Sequence, residues 1–434
     1  MPGFWDNSRM NATTAAGVPA MAQQARELAR AGRINDASAL WQRVLALDPN
    51  HTEALLAMAT QALARRDSAG ALQVLHHAAA TAPRDPMVQL YTALALKDLD
   101  RPEEEMAAIT RALAIDPYFY PALLHKAMLL ERLGSRRQAA RVFKDVLKIM
   151  PPPEQAGPGF LKAAEHAKAA IEENRRSLER HLEGVLSDLR KRHSAARLDR
   201  FEETLAVMTG AKKRYSPDPV MLHFAQLPPL QFYPNDLFPW IPELEAATED
   251  IRRECEAVLA GQRDEFSPYI QRPPGAPVNQ WGELNHSQRW STWFLWKNGE
   301  KVEANCEQCP RTTEVVSSLP LACSRNYSPN VLFSALEART VIPAHCGDTN
   351  VRLVVHLPLI LPPNCTFRVG NDTRAWEYGK AWVFDDSVEH EARNDSDQLR
   401  VQLMFDVWNP YLTDAERELV NGLLGGLQEY YGAE

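Results

Sequence analysis

Residues 398–408 read Q-L-R-V-Q-L-M-F-D-V-W, and this stretch decides the fold of the C-terminal half of the chain. The odd positions from 399 to 407 are all apolar, whereas Arg400, Gln402, Met404 and Asp406 occupy the even positions. A period of two residues places these two sets on opposite faces of a β-strand. Because burying an arginine without an anion is costly, Arg400 predicts that an anion binds next to this strand.

Two further stretches extend this strand into a sheet. Residues 350–361, which read N-V-R-L-V-V-H-L-P-L-I-L, predict a second strand, and residues 374–385 predict a hairpin that turns near Gly379. Short strands separated by turns are typical of a β-sandwich or a small β-barrel. We therefore expect an all-β domain in this half of the chain.

The first third of the chain follows a different pattern, and that pattern repeats. Pro49, Pro83, Pro117 and Pro151 are spaced 34 residues apart. Aligning the chain on these prolines brings three further sets of positions into register: Ala25, Ala59, Ala93 and Ala127; Ala37, Ala71, Glu105 and Ala139; Trp41, Leu75, Ile109 and Phe143. The period resembles that of the tetratricopeptide repeat, a pair of antiparallel helices that small residues allow to approach closely. We predict four such repeats over residues 18–153.

These patterns predict a multidomain chain with an all-α repeat solenoid before an all-β domain. Residues 1–17 form an N-terminal extension, a charged helical connector covers 154–214, and the β domain with flanking helices covers 215–434. The concave face of such a solenoid binds a peptide or partner protein, or the array acts as a rigid spacer or dimer surface. The sequence leaves both roles open.

The composition excludes several classes of protein. The 434 residues are 45% hydrophobic and 24% charged, which is typical of a soluble globular protein. A net charge of −8 argues against nucleic acid as a partner. No apolar run reaches the ~18 residues of a membrane span. Six cysteines without an export signal predict a reduced, cytoplasmic protein.

Three histidines in the β domain are candidate metal ligands. His345 ends one predicted strand, His356 lies on the next, and His390 follows a third. Imidazoles from separate strands can converge on one metal and leave other coordination positions open. A single histidine in a strand is more often a hydrogen-bonded core residue. Arg400, ten residues after His390, favours the functional interpretation.

A set of motifs in this half recurs in order and at matching spacing in a known family. The motifs resemble those of the aspartyl/asparaginyl β-hydroxylases, iron(II)- and 2-oxoglutarate-dependent oxygenases built on a double-stranded β-helix. The resemblance covers roughly residues 215–415, and mammalian members also carry tetratricopeptide-like repeats. It rests on Ser334, His345-Cys-Gly-Asp-Thr-Asn350, Arg352-Leu353, His356-Leu357, Trp376-Glu-Tyr-Gly-Lys380, Phe384-Asp-Asp-Ser387, Glu389-His-Glu391, Arg400 and Asp406-Val-Trp-Asn-Pro410.

The resemblance implies a role for each of six residues. His345 and His390 match the iron ligands, and Arg400 matches the arginine that pairs with the distal carboxylate of 2-oxoglutarate. Ser334 and His356 match further 2-oxoglutarate contacts, and Trp290 matches, more loosely, a tryptophan near the same cosubstrate. The expected cosubstrates are 2-oxoglutarate and O2, with succinate and CO2 as coproducts.

The chain also departs from the family. An arginine that members often carry two residues before His356 is Val354 here, and Arg352 or Arg368 are candidates to replace it. In the commoner H-x-D triad a carboxylate lies two residues after the first histidine, where this chain has Gly347. We therefore expect two histidines without a protein carboxylate to hold the iron, and Asp348 to point away from it.

Three functions of different classes remain open from the sequence. The first is β-hydroxylation of Asp or Asn side chains in a protein or peptide, which the repeats favour because solenoid grooves generally hold polypeptide. The second is the same chemistry on a small molecule or lipid. The third is a non-catalytic scaffold, against which the intact His345, His390 and Arg400 argue.

Overall fold

The computed structural model describes residues 17–152 and 158–432, and the chain divides into two compact units, Met1–Arg197 and Leu198–Glu434. The predicted N-terminal extension, residues 1–17, lies outside the described residues except for its last position. None of the described helices is long and apolar enough to cross a membrane.

The first unit contains a regular series of short helices. Within the described part of this unit, eight helices of 13 or 14 residues follow one another as antiparallel pairs: Gly17–Arg30, Ile34–Leu47, Thr52–Ala64, Ser68–Thr81, Pro86–Asp98, Pro102–Ile115, Tyr120–Arg132 and Arg136–Ile149. The second helices of the pairs begin at residues 34, 68, 102 and 136, which confirms the predicted period. The repeat prolines each lie just beyond the end of a second helix, where proline cannot interrupt helical hydrogen bonds.

The residues that repeat in the sequence form the interior of the array. All four alanines of the first set have no exposed surface, and Leu75, Ile109 and Phe143 are also fully buried. Glu105 stands where the other repeats have alanine, and it is buried too. Its carboxylate contacts the guanidinium of Arg132 and lies 3.0 Å from Nε2 of His125. The third repeat therefore holds an ion pair where the others have only a small side chain.

The predicted connector is divided between the two units. A 35-residue helix, Pro158–Arg192, belongs to the first unit, and the helix Asp199–Thr209 belongs to the second. Glu203 of the latter helix accepts hydrogen bonds from the side-chain amides of Gln231 and Asn371 at 2.9 and 3.0 Å. This helix is thus fastened to the β domain well before residue 215.

The second unit is built on two antiparallel sheets. The strands are β1 (Phe232–Tyr233), β2 (Ser267–Pro268), β3 (Trp290–Lys297), β4 (Glu300–Lys301), β5 (Val331–Leu336), β6 (Thr340–His345), β7 (Arg352–Ile360), β8 (Cys365–Val369), β9 (Asp372–Ala375), β10 (Trp382–Phe384), β11 (His390–Asn394) and β12 (Arg400–Trp408). The larger sheet has the strand order β1-β10-β7-β12-β5-β3-β2, with β4 paired to β3, and the smaller sheet has the order β6-β11-β8-β9. This is the double-stranded β-helix that the family resemblance implied.

The larger sheet has one apolar face and one polar face, as the alternation in β12 predicted. Val401, Leu403, Phe405 and Val407 pack outward with residues of the flanking helices into one apolar cluster. Those flanking helices are Ile241–Ala246, Thr248–Gln262, Glu303–Gln308 and Pro310–Ser317, and a further helix, Asp414–Gly432, follows β12. The opposite face turns toward the smaller sheet, and the functional residues lie there.

The predicted hairpin around Gly379 is wrong. β9 pairs with β8 in the smaller sheet, whereas β10 pairs with β7 in the larger one. Residues 376–381 therefore carry the chain from one sheet to the other. The apolar and polar alternation on both sides of Gly379 is the same for two paired strands and for two strands in facing sheets, so it cannot distinguish these arrangements.

Candidate functional site

A cavity of about 530 Å³ lies between the inner faces of the two sheets. Strands β5, β7 and β12 of the larger sheet and β6, β8 and β11 of the smaller sheet contribute side chains to its wall. All six residues that the family resemblance singled out line this one cavity: Trp290, Ser334, His345, His356, His390 and Arg400.

Two of these residues form a histidine pair. His345 is the last residue of β6 and His390 the first residue of β11, and they are direct partners across these antiparallel strands. Their ring centroids are 4.1 Å apart. The edge of the Trp281 ring packs against His345 with a centroid separation of 4.8 Å. Strand pairing thus fixes two imidazoles side by side at one end of the smaller sheet.

The hydrogen bonds of the pair fix the tautomer of each ring. Nδ1 of His345 lies 2.7 Å from the carbonyl oxygen of Pro343, and Nδ1 of His390 lies 3.0 Å from that of Val388. Because a carbonyl oxygen only accepts, each Nδ1 donates and each Nε2 keeps its lone pair. Burial lowers the pKa of both histidines, so both are neutral at pH 7. Neutral imidazoles with carbonyl-bound Nδ1 atoms are in the form that binds a metal ion.

Arg400 is a buried cation with unused donors. Its side chain is 1% exposed, and its Nε and Nη1 atoms have no hydrogen-bond partner in the described part of the chain. The guanidinium lies over the ring of Trp376, 4.7 Å from the centroid. Burial lowers the pKa of Arg400 to about 10, so it remains a cation at pH 7. An uncompensated buried cation of this kind requires an anion, and a carboxylate suits a guanidinium well.

His356 and Ser334 lie on β7 and β5, the two strands next to β12, and Trp290 lies on β3, next to β5. Within the described residues, neither ring nitrogen of His356 has a hydrogen-bond partner, and burial, with Arg400 and His390 nearby, lowers its pKa well below the usual value. Nε1 of Trp290 donates to Oγ of Ser334 at 3.1 Å, which directs the hydroxyl. This arrangement offers hydrogen-bonding groups, in addition to Arg400, to one anionic ligand.

A second charged group on the wall consists of Arg352, Asp348, Asp386 and Asp406, which we call the acidic cluster. Nη1 of Arg352 lies 2.8 Å from Oδ1 of Asp406 and 3.6 Å from Oδ2 of Asp386. Nη2 of Arg352 lies 3.7 Å from Oδ2 of Asp348. The arginine is therefore already surrounded by anions, in contrast to Arg400.

The closeness of Asp386 to Gly347 was not anticipated from the sequence. A Cβ atom on Gly347 would lie only 2.1 Å from Oδ2 of Asp386, and the Gly347 N–H donates to the Asp386 carbonyl at 2.6 Å. The carboxylate of Asp386 thus fills the space where a side chain two residues after His345 would begin. Burial raises the pKa of Asp386 to about 7. The glycine itself was the available signal, because it leaves room for a carboxylate from elsewhere in the chain.

Neither candidate replacement for an arginine at Val354 supplies a free guanidinium. Arg368 does not line the cavity and donates instead to Glu389, Glu391 and the carbonyl of Gly370. Arg352 lines it but is held by Asp406. Within the described residues, no group of three or more His, Cys, Asp or Glu side chains is arranged to hold a metal ion. Any metal here would depend on the histidine pair.

Comparison with known proteins finds relatives of the β domain. Residues 245–410 match the model of the aspartyl/asparaginyl beta-hydroxylase family, so this part of the chain is similar to that family. The β domain is 31% identical to human aspartyl/asparaginyl beta-hydroxylase over 182 residues, which is 41% of this chain and 24% of that protein. It is 36% identical over 197 residues to the ornithine lipid ester-linked acyl 2-hydroxylase of Rhizobium tropici, covering 45% of this chain and 66% of that protein.

Each match covers only part of this chain and only part of the matched protein. The alignment spans about a quarter of the human and mouse aspartyl/asparaginyl beta-hydroxylases, at 24% of each. Among solved structures, MamA 41-end from Desulfovibrio magneticus RS-1 is similar over 30% of this chain and 75% of that chain, with 26% identity and a TM-score of 0.28.

Proposed function

We propose that this chain is an Fe(II)- and 2-oxoglutarate-dependent dioxygenase that β-hydroxylates Asp or Asn side chains of a protein or peptide, with succinate and CO2 as coproducts. The observation that carries this proposal is the cavity of the β domain. It combines a pair of neutral imidazoles with a buried guanidinium that has no anionic partner among the residues that the structure describes. These are the two sets of groups that an iron ion and a dicarboxylate cosubstrate require.

His345 and His390 fit ferrous iron. Both have Nε2 lone pairs free, and two protein ligands leave coordination positions open for other molecules. Bound there, iron would supply dioxygen activation coupled to the oxidative decarboxylation of 2-oxoglutarate. The protein positions the reactants and excludes water, and the rings of Trp281, Phe367 and Phe384 around the two histidines serve that purpose.

Arg400, His356 and Ser334 fit the distal carboxylate of 2-oxoglutarate. Arg400 offers Nε and Nη1, and His356 offers a ring N–H. The Ser334 hydroxyl accepts from Trp290 through its oxygen, so its O–H can donate to the carboxylate. In this arrangement the carboxylate neutralises the buried guanidinium. The free energy of that pairing would orient the cosubstrate toward the histidine pair.

The tetratricopeptide array supports a polypeptide substrate, since grooves of helical repeats bind extended or helical peptides. A second candidate is hydroxylation of a lipid acyl chain. The similarity to the Rhizobium tropici acyl hydroxylase favours it, and so do the apolar side chains of Val220, Ile270 and Trp281 in the cavity wall.

The test is succinate formation from 2-oxoglutarate by the iron-loaded full chain. Peptides that contain Asp or Asn and ester-linked acyl lipids would be supplied in separate reactions, and mass spectrometry would locate one added oxygen atom. We expect peptide-dependent succinate release that His345→Ala abolishes. Wild-type protein that does not bind 2-oxoglutarate in the presence of a divalent metal would refute the proposal. Oxygen found only in an acyl chain would favour the second candidate.

A further inference from the structure

The opening of the cavity is formed largely by one loop. The wall residues whose side chains are exposed are Val220, Tyr269, Arg272 and Gln280, and all of these except Val220 lie within residues 269–281, which we call the rim loop. At its end the rim loop turns inward, because Trp281 is buried and packs against one ring of the histidine pair. A substrate that comes from solvent to the histidine pair therefore passes the rim loop.

Arg272 gives this opening a positive charge that has no partner. From residue 215 onward, every described arginine except Arg272, Arg325 and Arg400 lies within salt-bridge distance of a carboxylate. Arg325 does not line the cavity. The side-chain amide of Gln280 also has no hydrogen-bond partner among the described residues. The rim loop thus offers a free guanidinium and a free amide NH2 group to an anion.

The backbone of Arg272 is held firmly although its guanidinium is free. Its N–H donates to Oδ1 of Asn285 at 2.8 Å, and its carbonyl oxygen accepts from Nε2 of His286 at 2.8 Å. The backbone N–H of His286 donates to the carbonyl of Ile270 at 2.8 Å. These bonds fix the point from which the Arg272 side chain starts. A cation on a backbone that is already ordered loses less entropy when it binds a ligand.

The rim loop is also connected to the groups that fit the cosubstrate. The ring of Tyr269 stacks on that of Trp290, with centroids 4.2 Å apart and planes inclined by 27°. Nε1 of Trp290 in turn donates to the Ser334 hydroxyl. Arg272 therefore starts from a fixed place relative to the inner part of the cavity. An anion bound to Arg272 would be held in register with the reacting position.

The surroundings of the other cations leave Arg272 for the substrate. The described wall carries three arginines: Arg272, Arg352 and Arg400. Arg352 already faces the three carboxylates of the acidic cluster. Arg400 is 1% exposed, and the proposed function assigns it to the distal carboxylate of 2-oxoglutarate. Arg272 is exposed at the opening, where the parts of a substrate on either side of its reacting residue would lie.

We propose that Arg272 binds the carboxylate of an Asp or Glu side chain that flanks the reacting residue, so that this site selects acidic segments of polypeptide. The inference rests on the proposed function and adds a sequence preference to it. A guanidinium forms paired, charge-assisted hydrogen bonds with a carboxylate, and the amide of Gln280 supplies a further donor. Because the contact forms at an exposed opening, it affects substrate capture, and therefore KM, more than kcat.

The experiment measures the charge preference of the full-length, iron-loaded protein. Peptides with one central Asn or Asp carry Glu, Gln or Lys at each flanking position in turn, and their termini are acetylated and amidated so that side chains supply the varied charge. Oxygen incorporation is followed by mass spectrometry. At one or more positions Glu should lower KM by ~3-fold or more relative to Gln, as expected for an exposed ion pair. About 1 M NaCl should remove this advantage. Equal KM values for Glu and Gln at every position would overturn the proposal, and so would oxygen found only in acyl lipids.

A reversal of charge tests Arg272 itself. Arg272→Glu should prefer Lys over Glu at the position where the wild-type protein prefers Glu. Arg325→Glu is the matched control, because Arg325 is likewise exposed and without a carboxylate partner but lies outside the cavity wall, so this variant should keep the wild-type preference. Binding of 2-oxoglutarate reports on the folding of both variants. An Arg272→Glu protein that binds 2-oxoglutarate and still prefers Glu would contradict the assignment.

The results separate this inference from the proposed function. If the wild-type protein does not bind 2-oxoglutarate or modifies no peptide, the proposed function fails and this inference fails with it. If it hydroxylates peptides without regard to the flanking charge, only the role of Arg272 is refuted.

Discussion

Arg400 shows how one residue in a sequence can predict a ligand. Its position on the polar face of a largely apolar strand requires an anion, and two of its nitrogen atoms have no hydrogen-bond partner in the described part of the chain. Arg400→Ala should weaken 2-oxoglutarate binding by ~30-fold or more, because losing a buried charge-assisted pair costs about 2–5 kcal/mol. Calorimetry with Mn(II) in place of iron measures this affinity.

A matched control for Arg400 is available on the strand that precedes β12 in the sequence. Arg393 lies on β11 but is exposed and pairs with Asp395. Arg393→Ala should therefore leave the 2-oxoglutarate affinity unchanged. Near-normal affinity in Arg400→Ala would assign the anchor of the cosubstrate to a different residue.

The position of the histidine pair leads us to predict which substitutions abolish iron binding. His345→Ala and His390→Ala should each abolish iron binding, because a single imidazole would remain at the site. Asp348→Ala should retain iron binding, because the carboxylate of Asp348 lies beside Arg352 and Tyr327. Metal content after dialysis measures all three. Loss of iron in Asp348→Ala would show that a conventional triad includes this carboxylate.

The lack of space around Gly347 leads to a prediction about the stability and metal affinity of a variant. A Cβ atom there would overlap the carboxylate of Asp386, so Gly347→Ala must displace one of the two segments next to the histidine pair. We expect the variant to be destabilised by about 1–3 kcal/mol, the usual cost of overpacking, and to bind metal more weakly. Gly422→Ala is the control, since a Cβ atom at this helical position meets nothing within 4 Å. Unchanged unfolding and metal affinity in Gly347→Ala would mean that Asp386 moves freely.

At the residue scale the sequence predicted the candidate site residues but not the contacts between them. The alternation in β12 and the spacing of the motifs predicted which side chains share a face, and all six candidates line one cavity. The cluster around Arg352 could not be predicted, because Asp406 reaches it from the neighbouring strand β12 and Asp386 from the turn after β10, both far away in the sequence. Local periodicity contains no information about such distant pairs.

At the scale of elements, the repeat array is regular except at Glu105. The carboxylate is buried between helices where the other repeats have alanine, and Arg132 and His125 surround it. Arg132→Ala should destabilise the array by about 1–3 kcal/mol, because it leaves a buried carboxylate without its hydrogen-bonded partner. Glu105→Ala should be neutral or stabilising, since it restores the small residue of the other repeats. Thermal unfolding distinguishes the two variants, and a strong loss of stability in Glu105→Ala would contradict this view.

The elements also show why helices were predicted better than strand pairing. The 34-residue period follows from contacts between adjacent helices, so the sequence records it directly, and the helix starts repeat with the same period. In the β domain the neighbours of a strand are set by long connections, as in the order β10-β7-β12-β5. This is why the sequence identified strands around Gly379 correctly but assigned them to one hairpin.

At the scale of the whole molecule, the chain consists of two units with different roles in the proposed function. Every described residue that lines the cavity lies in the second unit, from Val220 onward. In the proposed function, the helical repeats of the first unit would select the substrate. Chemistry and recognition would then be separable.

This separation predicts the behaviour of a fragment. Residues 198–434 should bind a divalent metal and 2-oxoglutarate with the affinity of the full chain, because the fragment keeps the cavity and the helix Asp199–Thr209. A fragment that begins at residue 215 lacks the hydrogen bonds of Glu203 to Gln231 and Asn371 and should unfold at a lower temperature. Calorimetric titration with 2-oxoglutarate and thermal unfolding measure the two effects. If the longer fragment folds but binds neither metal nor 2-oxoglutarate, the repeats contribute to the chemistry itself, because the cavity alone would then be insufficient for binding.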